Sequence, residues 1–104
     1  MSKRKRVARP RMTLTLLTRA YCHLCDEMLA AVRPIAASRS ASIDVIDVDA
    51  HPALEAAYGE LVPVLFAGAP AAGAELCRYR LDPARVLEAL AAAGANGDRG
   101  RAQD

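Results

Sequence analysis

The stretch MTLTLLTRAYCHLCDEML, residues 12–29, decides the fold. Its first part, Met12–Thr18, alternates threonine with apolar residues, which predicts a β-strand because successive side chains of a strand point to opposite faces. From Cys22 onward the apolar residues recur at the spacing of an amphipathic helix. The apolar face of that helix would carry Cys25, Met28, Leu29, Val32, Ile35 and Ala36. Because Pro34 lacks an N–H and crowds the preceding turn, we expect the helix to kink or to end early there.

Further elements follow, each bounded by turn-forming residues. They are a strand over Ser42–Val48, a helix over Pro52–Tyr58, strands over Pro63–Ala67 and Glu75–Arg80, and a last helix after Asp82. Gly59 can end the short helix in a left-handed conformation. Asp82 is a suitable N-cap, with Pro83 in the first helical position, and we expect Gly94 to end the last helix.

The order of these elements predicts one mixed sheet. A strand–helix–strand start requires a parallel pair with a right-handed crossover, whereas the short loop between the last two strands makes them antiparallel. We therefore expect an α/β fold of the order β-α-β-α-β-β-α, with a four-stranded mixed sheet flanked by helices. A chain of 104 residues has room for one such core. We place the domain at residues 12–94, between a disordered basic arm at 1–11 and a flexible C-terminal tail at 95–104.

Charge is distributed unevenly along the chain. Residues 1–11 contain 6 of the 14 basic residues and no acidic one, so the remainder has 8 basic and 12 acidic residues. No aromatic residue is interleaved in the arm and no reading motif follows it, so we do not expect nucleic-acid binding. No apolar run approaches the roughly 18 residues of a membrane span, and no apolar segment with a cleavage site follows the basic residues. We therefore expect no membrane partner and a cytoplasmic location.

Cys22 and Cys25 form a C-x-x-C pair at the junction of the first strand and the first helix. Residues i and i+3 of a helix lie about 5–6 Å apart, which a disulfide tolerates. The free N–H groups and the dipole of the first turn stabilise a thiolate at Cys22, whereas Cys25 falls on the buried face. An odd number of cysteines with such a pair suits a reducing compartment, in which the pair is catalytic or binds a metal.

The residues alone leave several kinds of site open. A zinc site usually needs four Cys or His ligands, and beyond the pair the chain offers only His23, His51 and Cys77. The alternatives are redox chemistry, which we prefer, an iron–sulfur or zinc site, and a structural pair of thiols. His23 either tunes the Cys22 thiolate or is a solvated helix residue. We expect Cys77 to be a small buried apolar residue rather than a third redox thiol.

Two segments, RAYCHLCD at Arg19–Asp26 and YGELVPVL at Tyr58–Leu65, resemble the small bacterial glutaredoxin-like family of the thioredoxin fold. The resemblance extends over roughly residues 12–93. It implies a dithiol active site beside a cis-proline, with Cys22 as the nucleophile and Cys25 as the resolving cysteine.

The same resemblance indicates residues that would contact substrate. It makes Pro63 the cis-proline and Arg19 the basic residue three positions before the first cysteine. Val62 can pair its backbone with an extended substrate, and Tyr21 either borders the active-site groove or packs beside the helix. Arg19 either clamps a substrate carboxylate or is a plain surface charge. Arg19, Tyr21, Val62 and Pro63 are the candidate substrate-binding residues.

We expect a thiol–disulfide oxidoreductase that acts as a monomer on protein or small-molecule disulfides. No metal site and no firmly bound cofactor are expected, and glutathione is a candidate reductant. The chain departs from glutaredoxins proper at His23 and Leu24, at Leu61, and in residues 68–75, which lack their Gly-Gly and acidic pair. These departures predict weak glutathione binding. The alternative is a non-catalytic module that binds an iron–sulfur cluster, zinc or a protein partner through the C-x-x-C.

Overall fold

The computed structural model describes the backbone of residues 12–103 and the side chains of residues 12–93. The predicted basic arm, residues 1–11, lies outside the described residues. The elements are β1 (Thr13–Thr18), α1 (His23–Ser38), β2 (Ser42–Asp47), a short 3-10 helix (Val48–Ala50), α2 (Pro52–Tyr58), β3 (Val64–Ala67), β4 (Glu75–Arg78) and α3 (Pro83–Gln103). The predicted order β-α-β-α-β-β-α is confirmed.

The four strands form one mixed sheet in the order β2-β1-β3-β4. β1 is parallel to β2, with Leu17 opposite Ile46, and antiparallel to β3, with Leu17 opposite Val64. β3 and β4 are antiparallel, with Leu65 opposite Cys77. The parallel pair β1–β2 and the antiparallel pair β3–β4 are as predicted, because a helical crossover joins the first two strands and a short loop joins the last two.

Apolar side chains cover both faces of the sheet. One cluster joins α1 and α3 to the sheet through Leu14, Leu16, Met28, Val32, Ala36, Leu65, Val86 and Leu90. The other cluster contains Leu17, Val48, Val64 and Phe66, with Leu54 and Tyr58 of α2 partly buried against it. Leu16 and Leu17 are adjacent in β1 and belong to different clusters, as the alternation of a strand requires. The loop between β1 and α1, residues 19–22 (the cysteine loop), therefore leaves a strand that is buried on both faces.

Two predicted helix ends, at Pro34 and at Gly94, are wrong, whereas the alternative of a kink at Pro34 stays a prediction. α1 continues through Pro34 to Ser38. Pro34 and Ala30, whose carbonyl loses its helical partner, are not fully buried, so water can satisfy that carbonyl. α3 continues past Gly94 to Gln103. A helical glycine costs about 1 kcal/mol relative to alanine, and alanines flank Gly94 on both sides. The flexibility of residues 95–104 stays a prediction.

Three smaller differences concern element ends. β2 stops at Asp47, whose carboxylate accepts a hydrogen bond of 2.9 Å from the Asp49 N–H and caps the 3-10 helix. β4 stops at Arg78, before Tyr79, which has a φ of 66°. Gly59 has a φ of −54° and a ψ of −34°, so it is right-handed and not left-handed as predicted. Within the described residues, no helix is long and apolar enough to cross a membrane.

Candidate active site

Cys22 and Cys25 are joined by a disulfide at the N-terminus of α1, with their Cα atoms 5.2 Å apart. Cys22 has an extended conformation and is the N-cap of the helix, which begins at His23 rather than at Cys22 as predicted. The Cys22 sulfur accepts a hydrogen bond of 3.2 Å from the Cys25 N–H. Cys22 is partly exposed, whereas Cys25 is only 2% exposed. The two cysteines therefore have different surroundings, one at the surface and one in the core.

The helix terminus favours negative charge on the Cys22 sulfur. An N-cap side chain faces N–H groups that have no partner within the helix, and the positive end of the helix dipole lies there. The exposed carboxylates of Asp26 and Glu27 act against this effect. The His23 ring is 86% exposed, and its Nε2 lies 3.2 Å from Oε2 of Glu27. This exposure favours the interpretation of His23 as a solvated helix residue.

Pro63 lies at the end of the sheet at which β1 leads into the cysteine loop. Leu17, one residue before the end of β1, pairs with Val64, the first residue of β3. The Val62–Pro63 peptide bond is cis. Pro63 is buried and Val62 is partly buried. The carbonyl oxygen of Pro63 accepts a hydrogen bond of 2.8 Å from the Tyr79 N–H. The end of β1 and the start of β3 thus bring the cysteine loop and Pro63 to the same end of the sheet.

Two tyrosines in left-handed backbone conformations lie at this end of the sheet. Tyr21, directly before Cys22, has a φ of 59° and a fully exposed side chain, so its ring does not pack beside the helix. Tyr79 is 42% exposed and is tied to Pro63 by the hydrogen bond above. The sequence contains no signal for Tyr79, because tyrosine is not a residue that marks a turn with positive φ. A groove of about 350 Å³ lies between α1 and the Tyr79 turn, lined by Glu27, Met28, Ala31, Tyr79, Arg80 and Leu81.

Arg19 is directed toward acceptors of the protein itself. Its guanidinium donates to both carboxylate oxygens of Asp49, at 2.6 and 3.3 Å, to Oε2 of Glu55 at 3.3 Å and to the Gly59 carbonyl at 2.8 Å. The hydrogen bond with Asp49 raises the pKa of Arg19 and lowers the pKa of the Asp49 carboxyl. These acceptors follow Arg19 by 30, 36 and 40 residues, so no local spacing could have identified them. That Arg19 binds substrate stays a prediction.

Cys77 carries a free thiol on β4, opposite Leu65. The thiol is partly buried, and this burial raises its pKa. A raised pKa keeps the group protonated and poorly nucleophilic. Cys77 therefore has the properties of a small apolar residue of the sheet.

Metal ligands are not gathered at the cysteines. Among the side chains that the structure describes, no three from His, Cys, Asp and Glu are placed so that they could hold a metal ion. His23 is the nearest histidine in sequence to the pair, and its ring already faces Glu27. Among the described residues, each cysteine thus has the other as its partner, and no group of three metal-binding side chains includes them.

Comparison with known proteins identifies the domain. The family model described as Glutaredoxin-like domain (DUF836) matches residues 13–91. The solution structure of protein Ne2328 from Nitrosomonas europaea is 35% identical, with a TM-score of 0.63 over 76% of this chain and 89% of that one. The crystal structure of the structural-genomics target XcR50 from X. campestris is 37% identical, with a TM-score of 0.55 over 76% of this chain and 96% of that one.

Thioredoxins are similar as well. A mutant thioredoxin from Halobacterium salinarum is 25% identical, with a TM-score of 0.54 over 78% of this chain and 73% of that one. No curated protein matches the chain. The family match, the thioredoxin neighbours and the Cys22–Cys25 disulfide together define a redox module. The chain belongs to the glutaredoxin-like domain family of the thioredoxin fold.

Proposed function

We propose that the protein is a thiol–disulfide oxidoreductase in which Cys22 is the nucleophile and Cys25 the resolving cysteine. The observation that carries the proposal is the asymmetry of the pair. Cys22 is a partly exposed N-cap whose sulfur faces a backbone N–H, whereas Cys25 is buried one turn into α1. A sulfur at a helix N-terminus is the more readily ionised, and the thiolate is the reactive form.

The reaction follows as two exchanges. The Cys22 thiolate attacks one sulfur of the substrate disulfide, which forms a mixed disulfide and releases the other substrate sulfur as a thiolate. Cys25 then loses its proton and attacks the Cys22 sulfur, which forms the Cys22–Cys25 disulfide and releases the second substrate thiolate. Both released thiolates take up protons. Two electrons pass from the dithiol to the substrate, and an external thiol reductant restores the dithiol.

Substrate is proposed to bind along the surface formed by Tyr21, Val62 and Pro63. Pro63 has no N–H, so the backbone of Val62 is the group at this point that can pair with an extended polypeptide. The exposed ring of Tyr21 adds apolar area directly beside Cys22. These features suit a disulfide within an extended segment of a protein substrate. They also leave Cys22 accessible to small-molecule disulfides.

The compartment, the reductant and the oligomeric state are part of the same proposal. A dithiol that must be reset by an external thiol fits a reducing compartment such as the cytoplasm. Glutathione and a thioredoxin-type reductase are the two reductants to compare. We propose a monomer without a firmly bound cofactor, in which one chain supplies both cysteines and Pro63.

The test is turnover of a peptide disulfide with each reductant in parallel. We expect turnover with at least one of them, loss of turnover in Cys22→Ser, and unchanged turnover in the matched control Cys77→Ser. Absence of turnover with both reductants would contradict the proposal. Visible absorbance and bound iron in freshly purified protein would instead support the alternative of an iron–sulfur module.

A further inference from the structure

One side chain connects the segment before Cys22 with the segment before Pro63. Arg19 lies in the loop between β1 and α1, three residues before Cys22. Its Nη1 donates to the carbonyl of Gly59, four residues before Pro63, at 2.8 Å. Its Nε and Nη2 bind both carboxylate oxygens of Asp49, which fixes the plane of the guanidinium.

The space around Gly59 is occupied by the Arg19 guanidinium and the Glu55 carbonyl. Gly59 is buried, and a Cβ added there would lie 3.2 Å from Nη1 of Arg19 and 2.6 Å from the Glu55 carbonyl oxygen. Gly59 has an ordinary right-handed conformation, so a larger residue is excluded by space and not by its backbone angles. A side chain at Gly59 would require the Glu55 carbonyl to move and would also crowd the Arg19 guanidinium.

We propose that Arg19 is a positioning residue that sets the cysteine loop against the Pro63 segment, rather than a group that binds substrate or stabilises the Cys22 thiolate. The inference depends on the proposed function, because it assigns both segments to one site. Asp49 and Glu55 contribute two negative charges against one positive charge, so the cluster has no surplus positive charge for an anion. Asp49, Glu55 and Gly59 together accept four hydrogen bonds from the Arg19 guanidinium.

A charge role and a positioning role predict different results for Arg19→Lys. Lysine keeps the positive charge, but its ammonium cannot hold both oxygens of Asp49 and the Gly59 carbonyl in the planar arrangement of a guanidinium. If charge is what matters, Arg19→Lys behaves like the wild type. If the connection between the two segments matters, Arg19→Lys has a lower kcat/KM than the wild type although it keeps the charge.

The experiment measures three quantities in Arg19→Lys, in Asp49→Ala and in the control Glu75→Gln. The control breaks a comparable two-bond ion pair, Arg78–Glu75, which lies within β4. In Arg19→Lys and Asp49→Ala we expect kcat/KM for a peptide disulfide to fall about tenfold or more, since small misplacements of reacting groups are costly. Alkylation of Cys22 by iodoacetamide, which needs no substrate groove, should stay within about twofold in Arg19→Lys. The control should match the wild type in both.

Hydrogen exchange gives the third quantity and does not depend on activity. The Gly59 and Leu61 N–H groups donate to the carbonyls of Glu55 and Tyr58, both at 2.8 Å. Both amides should exchange faster in Arg19→Lys and Asp49→Ala, whereas the Leu65 amide in β3 should not change. An inactive wild type would contradict the proposed function and leave this exchange result as the test of the connection. Wild-type turnover and exchange in Arg19→Lys, or increased turnover in Asp49→Ala, would overturn the inference.

Discussion

The N–H of Cys25 points at the sulfur of Cys22 across 3.2 Å, while the side chain of Cys25 itself lies in the core. One residue thus supplies both the buried sulfur, which we propose is the resolving one, and a backbone dipole that favours a thiolate on its partner. The arrangement follows from the N-cap position of Cys22, since the N-cap side chain is the one that reaches the N–H three residues later. The different surroundings of the two cysteines are therefore a consequence of where the helix begins.

Space at Gly59 leads to a prediction on stability. Gly59→Ala places a Cβ 2.6 Å from the Glu55 carbonyl oxygen, so the backbone must move. We expect a loss of about 1–3 kcal/mol in the free energy of unfolding, as for other overpacked sites. Gly73→Ala is the matched control, because a Cβ there meets no atom within 4 Å, and it should stay within about 0.5 kcal/mol. Equal unfolding curves for the two variants in urea would show that Gly59 is not sterically required.

The ion pair of Arg19 with Asp49 leads to a prediction on pH. The hydrogen bond from Arg19 lowers the pKa of Asp49 below its ordinary value of 3.8. A carboxyl with a lowered pKa in the folded state contributes stability above its unfolded pKa, and that contribution is lost as the pH falls through the folded pKa. We therefore expect the Tm of Asp49→Asn to fall less than that of the wild type between about pH 5 and pH 2. Parallel Tm curves over this range would contradict the assignment.

Glutathione should bind weakly. Leu61 packs against the apolar cluster around Phe66 and offers no hydroxyl, and the guanidinium of Arg19 is held by Asp49 and Glu55. We expect a Kd in the millimolar range or weaker, which corresponds to less than about 4 kcal/mol. Titration with S-methylglutathione, which cannot exchange disulfides, measures this through chemical shifts near Arg19, Val62 and Gly73. Micromolar affinity would show that the site accommodates the tripeptide in a way these contacts do not suggest.

Local patterns in the sequence predict much of the fold. The alternation over Met12–Thr18 and the helical spacing after Cys22 identify the first strand and helix, because both depend on neighbouring residues. Asp82 is the predicted N-cap, and its Oδ1 accepts a hydrogen bond of 3.3 Å from the Arg85 N–H. The parallel pairing of β1 with β2 and the antiparallel pairing of β3 with β4 follow from the connections. The cysteine pair is equally local, since its members are three residues apart.

What the sequence does not predict depends on contacts between distant segments. Gly59 suggests a left-handed turn by its residue type, yet it is right-handed, and its carbonyl accepts a hydrogen bond from Arg19, which lies 40 residues earlier. The Tyr79–Pro63 hydrogen bond likewise joins residues whose nearness is set by the pairing of β3 with β4. Gly94 carries a typical helix-end signal that its alanine neighbours outweigh. Residue type allows several possible roles, and the packing selects among them.

The roles of Cys22 as the attacking and Cys25 as the resolving cysteine are tested most directly by mass spectrometry. Cys25→Ser is allowed to react with a peptide disulfide and is then digested. Without the resolving thiol, the mixed disulfide on Cys22 should accumulate, while Cys77, partly buried and with a raised pKa, stays unmodified. Peptide found on Cys77, or a Cys25→Ser variant that forms no adduct while Cys22→Ser forms one on Cys25, would contradict the assignment.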